Sequence, residues 1–167
     1  MTTREVRQSI TITKKGAPMS GHNNKYDVLV IGSGPGGEGA AMQAVKEGLR
    51  VAVIEEKPSV GGNCTHLGTI PSKTIRHLAH RLTTFQTDPL FNKKLFNSFI
   101  GFPELMARTK GVVGKQVKRR ESHYLRNDID VYFGRASLYD HHTASVELLE
   151  GKTKQLTAQS IVLATGS

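Results

Sequence analysis

Three glycines at fixed spacing, Gly32-x-Gly34-x-x-Gly37, and a carboxylate at Glu55 are the residues of this sequence whose types and spacing first suggest chemistry. Gly32 permits a tight turn, Gly34 lets the backbone approach a pyrophosphate, and Gly37 lets a helix pack close to a strand. The first turn of that helix offers free N–H groups and a partial positive charge to phosphates. An acid roughly twenty residues beyond the glycines accepts hydrogen bonds from a ribose 2′-OH and repels a 2′-phosphate. The pattern predicts an ADP-containing dinucleotide, with a purely structural glycine turn as the alternative. It does not separate a flavin from a nicotinamide dinucleotide. A second glycine pair, Gly61-Gly62, opens the stretch Asn63-Cys64-Thr65-His66-Leu67-Gly68-Thr69-Ile70-Pro71-Ser72-Lys73, placed to close over the pyrophosphate.

These residues need elements to hold them. Val28 to Ile31 is an unbroken apolar run, as expected of a parallel strand buried on both faces. The glycine turn follows, then a helix carrying Ala41, and then a second buried strand, Val51 to Ile54, which delivers Glu55. Pro71 suits the first turn of a helix reaching about Phe85, with Thr69 as a candidate cap. The segment Thr87 to Asn97 reads as a loop. Pro103 opens another helix ending near Asn127, with apolar positions at Leu105, Met106, Val112, Val113, Val117 and Tyr124. Gly111 and Gly114 weaken it. Ile129 to Phe133 reads as a third parallel strand, followed by a turn at Gly134-Arg135-Ala136. Short alternating segments from Ser137 to Thr157 predict a small antiparallel excursion. A last buried strand, Ser160 to Ala164, runs into Thr165-Gly166-Ser167. The expected class is α/β, a doubly wound parallel sheet of Rossmann type, incomplete, with a small antiparallel excursion.

The chain has 167 residues, 37% of them hydrophobic, enough for one domain with a real core. No apolar run is long enough for a transmembrane helix, so no membrane partner is expected. The single cysteine excludes a disulfide framework within the chain and suits a reducing, cytoplasmic compartment. The net charge of +9 raises the question of a nucleic-acid partner. Much of that charge lies in a polar tail, residues 1–24, expected to be disordered, and in Lys115 to Arg126 on one helix face. Neither arrangement points to nucleic acid. In the tail, Ile10 to Thr13 alternate too briefly for a strand. The tail is basic and hydroxyl-rich, as a transit peptide is, but its arginines are few and no amphipathic helix is visible, so an untargeted extension is the favoured reading over a transit peptide. Residues 25–167 form the folded unit. His141-His142 make a poor metal pair, and no zinc spacing is present.

With the fingerprint and Cys64 to Lys73 taken together, residues 25–167 resemble the amino-terminal part of the FAD-dependent pyridine nucleotide–disulfide oxidoreductases. The resemblance implies FAD, because in that family the first glycine fingerprint holds the flavin nucleotide. It further implies that Gly32, Ser33, Gly34, Pro35, Gly36, Gly37, Glu55 and Glu56 hold the ADP half. Gly61, Gly62 and Cys64 line the pyrophosphate and ribityl side, and Gly134 and Ala136 match a turn near the adenine. Ala164, Thr165 and Gly166 look like the second flavin-contacting turn. Lys73 is implied beside the flavin N5 region as a catalytic positive charge.

The sequence departs from the disulfide reductases at one point. Two cysteines separated by four residues precede their Ile-Pro-Ser-Lys segment, whereas here the pair is Cys64 and Thr69. One sulfur cannot form the redox disulfide. The wording is similar instead to a branch of the family without that disulfide, whose flavin takes hydride from NADPH and returns it to NAD⁺, or runs in reverse. Thr69 then stands where a reductase has its flavin-facing sulfur. NAD(H) and NADP(H) are the implied small-molecule substrates. An atypical disulfide reductase and a non-catalytic nucleotide-binding module are the rival readings. On the same resemblance the chain is expected to be a fragment of a homo-oligomeric protein. The nicotinamide and dimerisation domains would lie beyond Ser167, and the fragment would be inactive alone.

Overall fold

The computed structural model describes residues 24–89 and 100–167. The tail expected over 1–24 therefore lies outside the described residues except for Asn24, as does the expected loop beyond residue 89. Thr87, placed in that loop by sequence, ends a helix.

Among the described residues, five strands and four helices follow in the order β1 (Lys25–Ile31), α1 (Pro35–Lys46), β2 (Val51–Glu55), α2 (Gly62–His66), α3 (Thr69–Thr87), α4 (Phe102–Arg126), β3 (Asp130–Leu138), β4 (Thr143–Leu148) and β5 (Thr153–Leu163). β1 pairs in parallel with β2, Val28 opposite Val51, and on its other side with β5, Val28 opposite Ser160. β2 pairs in parallel with the first half of β3, Ala52 opposite Asp130. The parallel layer thus runs β3-β2-β1-β5.

Past Phe133, β3 leaves this layer and pairs antiparallel with β4, Gly134 opposite Leu148. β4 in turn pairs antiparallel with the first half of β5, Ala144 opposite Leu156. β3 and β5 each belong to both layers, so the strand pairings close into a ring. This corrects the expected turn at Gly134-Arg135-Ala136, which is continuous strand. A Cβ on Gly134 would stand 2.3 Å from the carbonyl oxygen of Glu147, so the glycine marks a close crossing of β3 over β4.

Two cores result. Tyr26, Leu29, Ala52, Ile54, Ala144, Val146, Leu156 and Ala158 fill the space between the parallel and antiparallel layers. Val30, Val51, Val53, Val131 and Ile129 face the helices on the other side, against Ala41 of α1 and Tyr124 of α4. The side-chain alternation slips by one residue in both β1 and β5. Tyr26 shares a core with Leu29, and Ala158 shares it with Ile161, each pair three apart. The slip lies where Gln159 Nε2 donates to Asp27 Oδ1 at 3.2 Å.

Pro35 sits in the first turn of α1, where its missing N–H costs nothing, and Gly48 follows the helix end with φ +79°. Pro103 plays the same part in α4. α3 buries no residue fully and lies against α4. Its cap is Gly68, and Thr69 is the first helical residue, with no side-chain cap bond; the expected Thr69 cap is not formed. Of the expected buried strand Ser160 to Ala164, all but Ala164 forms the last part of the eleven-residue β5. It is at most half-buried there, with Leu163 62% exposed, because β5 edges the parallel layer among the described residues.

Candidate functional site

The carboxyl ends of β1, β2 and β5 converge on one cavity of about 590 Å³. An open parallel sheet binds ligands at this end because the strand-to-helix turns all emerge there. Gly32, Ser33, Gly34 and Pro35 form one wall, Glu55, Glu56 and Lys57 a second, and Gly62, Asn63 and Cys64 a third. Gly134, Arg135 and Ala136 from β3 and Ala164, Thr165 and Gly166 after β5 complete the lining.

The first wall is built by close packing. A Cβ on Gly37 would fall 1.9 Å from the Gly32 carbonyl oxygen, so only glycine lets α1 start this near the end of β1. Gly34 caps α1 in an extended conformation and offers no side-chain cap bond. The N–H groups of the first turn are therefore left without a side-chain acceptor at the edge of the cavity.

Glu55 ties the walls together. Its side chain is buried, 6% exposed, and Ser33, fully buried, donates to Oε2 both from its backbone N–H at 3.1 Å and from its hydroxyl. Oε1 accepts from the Lys57 backbone N–H at 2.9 Å. The Ser33 Oγ in turn accepts from the Gly61 N–H at 2.9 Å. One carboxylate thus fastens the glycine turn after β1, the loop after β2 and, through Ser33, the second glycine loop. A carboxylate has about four lone-pair sites, so Glu55 keeps capacity for a further donor from the cavity.

The second loop has its own pin. His66 Nε2 lies 3.0 Å from the Val60 carbonyl oxygen and 3.3 Å from Ser59 Oγ, so the histidine closes α2 onto the preceding loop. Lys57 Nζ donates to Asn63 Oδ1 at 2.8 Å, and Asn63 Nδ2 donates to the Ser167 carbonyl at 3.0 Å. Arg135 reaches to within 4.0 Å of Glu56, and both are exposed.

Below the first turn of α1, Glu38 Oε2 accepts from Arg120 Nε of α4 at 3.0 Å, and His123 Nδ1 stands 4.0 Å from its other oxygen. Tyr124 is fully buried beneath, its hydroxyl without a partner among the described residues. Burial chiefly, with the Glu38 charge adding, holds this phenol well above its usual titration range.

Of the residues singled out by sequence, Gly32, Ser33, Gly34, Pro35, Glu55, Glu56, Gly62, Cys64, Gly134, Ala136, Ala164, Thr165 and Gly166 line this one cavity. Gly36, Gly37 and Gly61 stand behind it, in α1 and at the cap of α2. Thr69 and Lys73 do not line it; both are exposed on the first turns of α3. Sequence reasoning missed Lys57, Asn63 and Arg135. Arg135 lies between two residues already singled out, and its neighbours were the available signal. Lys57 and Asn63 carried no signal apart from their place in the loops.

A parallel sheet with an uncapped glycine turn and an acid on the neighbouring strand defines a dinucleotide-binding α/β domain. The chain belongs to the pyridine nucleotide–disulphide oxidoreductase family, whose model matches residues 26–167. It is 50% identical over 142 residues to a soluble pyridine nucleotide transhydrogenase of Ectopseudomonas mendocina (strain ymp), a match covering 85% of this chain and 31% of the relative. It is 48% identical over 146 residues to a soluble pyridine nucleotide transhydrogenase of Vibrio vulnificus (strain YJ016), covering 87% of this chain and 31% of that one. The chain thus spans about a third of the length of the curated relatives it matches. Among solved structures it resembles the Cu(II) complex of a cysteine-to-serine mutant of the HOCl-induced flavoprotein disulfide reductase RclA from Escherichia coli. The TM-score is 0.68 at 29% identity, covering 86% of this chain and 29% of that one.

Proposed function

We propose that the chain supplies the FAD-binding part of a transhydrogenase, an oxidoreductase passing hydride between NADPH and NAD⁺ without a redox disulfide. One observation carries this reading. The glycine turn, Glu55 and the second glycine loop meet in a single cavity, while the position five beyond the only cysteine holds Thr69. The half-identical relatives named as transhydrogenases support it.

The residues present fit FAD. The cap of α1 is Gly34, which has no side chain to occupy the helix N-terminus, and Glu55 retains acceptor capacity toward a ribose. Bound FAD would supply the two-electron relay between the nicotinamide nucleotides. The chain's own residues bind and orient. The backbone N–H groups of Gly34, Gly36 and Gly37 would serve the pyrophosphate, Glu55 and Glu56 take the ribose side, and Gly62 and Cys64 cover the opposite wall. Lys73 is proposed to bring positive charge to the isoalloxazine end, and Thr69 to fill the place of a sulfur with a hydroxyl that has no redox chemistry. The whole protein is proposed to be a homo-oligomer, on the family resemblance.

The test is an anaerobic dithionite titration of the whole protein, which should consume two electrons per flavin. NADPH-to-NAD⁺ hydride transfer should survive Cys64→Ser, because neither hydride step uses sulfur. The solved neighbour is described as a disulfide reductase, and that is the second reading. Uptake of four electrons, or loss of hydride transfer in the serine variant, would favour it.

A further inference from the structure

Glu38 occupies the first turn of α1, the turn whose uncapped N–H groups edge the cavity. An acid there stabilises the helix by itself, but it also draws on the positive end that a bound anion needs. The structure does not leave this charge free. Arg120 donates to Glu38 Oε2 at 3.0 Å, with only 16% and 20% of the two side chains exposed. Arg120 is itself braced on α4, its Nη1 donating to the Gln116 carbonyl at 3.4 Å and to Gln116 Oε1 at 3.3 Å. The only other charged or titratable group facing Glu38 in a described ion pair is His123, at 4.0 Å.

We infer that Arg120 is a positioning and neutralising residue for the dinucleotide pyrophosphate, acting across two elements by cancelling Glu38 beside the phosphate-binding turn. The inference rests on the proposed FAD reading. It makes a prediction of sign that a bracing role alone does not. If the pair only held α1 against α4, breaking it from either side would weaken nucleotide binding. If Arg120 acts by charge, the two sides differ. Removing Glu38 leaves an extra cation near the anion, whereas removing Arg120 leaves an uncancelled anion there.

The experiment titrates the whole apoprotein with FAD by flavin fluorescence at low salt, alongside thermal unfolding followed by circular dichroism. Glu38→Gln, which keeps a hydrogen-bond acceptor for Arg120, should bind FAD as tightly as the parent or more tightly. Arg120→Met should raise the dissociation constant about tenfold, the size expected of a partly buried charge at a helix terminus. Arg120→Lys should stay near the parent, and the double variant should recover most of the lost affinity. Weaker binding by Glu38→Gln, or a double variant no better than Arg120→Met, would overturn the inference. The Glu38→Gln arm decides the sign even if Arg120→Met unfolds. Unchanged affinity in Arg120→Met, with the parent binding FAD, removes this inference alone; a parent that does not bind FAD removes the cofactor reading with it.

Discussion

Ser33 shows how much one small side chain can carry. Its hydroxyl donates to Glu55 and accepts from the Gly61 N–H, all within buried surroundings. Ser33→Ala would leave a buried N–H and part of a buried carboxylate without a partner, a loss of about 1–3 kcal/mol. Urea unfolding of the whole protein, apo and FAD-loaded, should show that loss in both states, since the network is internal. Stability within about 0.5 kcal/mol of the parent, the scatter of a surface change, would show that the network does not hold the loops. Lys73 is the opposite case, exposed on α3 and bonded to nothing described. Lys73→Met should leave FAD bound and slow flavin reduction by NADPH about tenfold or more, the loss expected when a preorganised charge is removed. Rapid-mixing absorbance reads that rate, and a parental rate would return Lys73 to the surface. Glu55 was legible in sequence as a cavity residue because its distance from the glycines and its place at the end of a buried strand mark it. Its grip on Ser33 and Lys57 was not, because nothing in a residue's type says which backbone N–H groups the fold will bring to it.

At the scale of elements, β1, α1, β2 and α4 could be read from the chain, since apolar runs, a glycine turn and helix-start prolines are local signals. The double membership of β3 and β5 could not. A strand that passes from one layer to another keeps the same residue types, and the slip of alternation near Asp27 and Gln159 breaks the period-two pattern that would have revealed which side chains face which core. α2 was missed for another reason: five residues beginning at glycine, Gly62–His66, have no propensity to advertise. The glycine at the base of α1 gives the element-scale prediction. Gly37→Ala sets a Cβ against the Gly32 carbonyl, so α1 must shift outward from β1. The expected cost is about 1–3 kcal/mol, as for overpacking a tight interior, together with loss of FAD retention on gel filtration. An alanine variant that keeps both parental stability and bound flavin would show that the helix tolerates the shift.

Across the described residues, the ring of strands sets β1, early in the sequence, beside β5, late in it. Val28 of β1 stands beside Ser160 of β5, and its other neighbour, Val51, is far nearer in sequence. The β1–α1–β2 unit is therefore complete as a local structure while one flank of β1 is still unpaired. Contacts this distant in sequence are the slow ones to form, because a long loop must close before they contribute. During synthesis, at roughly 5–20 residues per second, the flank of β1 waits on the order of ten seconds for its partner to leave the ribosome. For that interval the nascent chain carries an open, apolar strand edge, which is the kind of surface that chaperones recognise and that neighbouring chains can pair with.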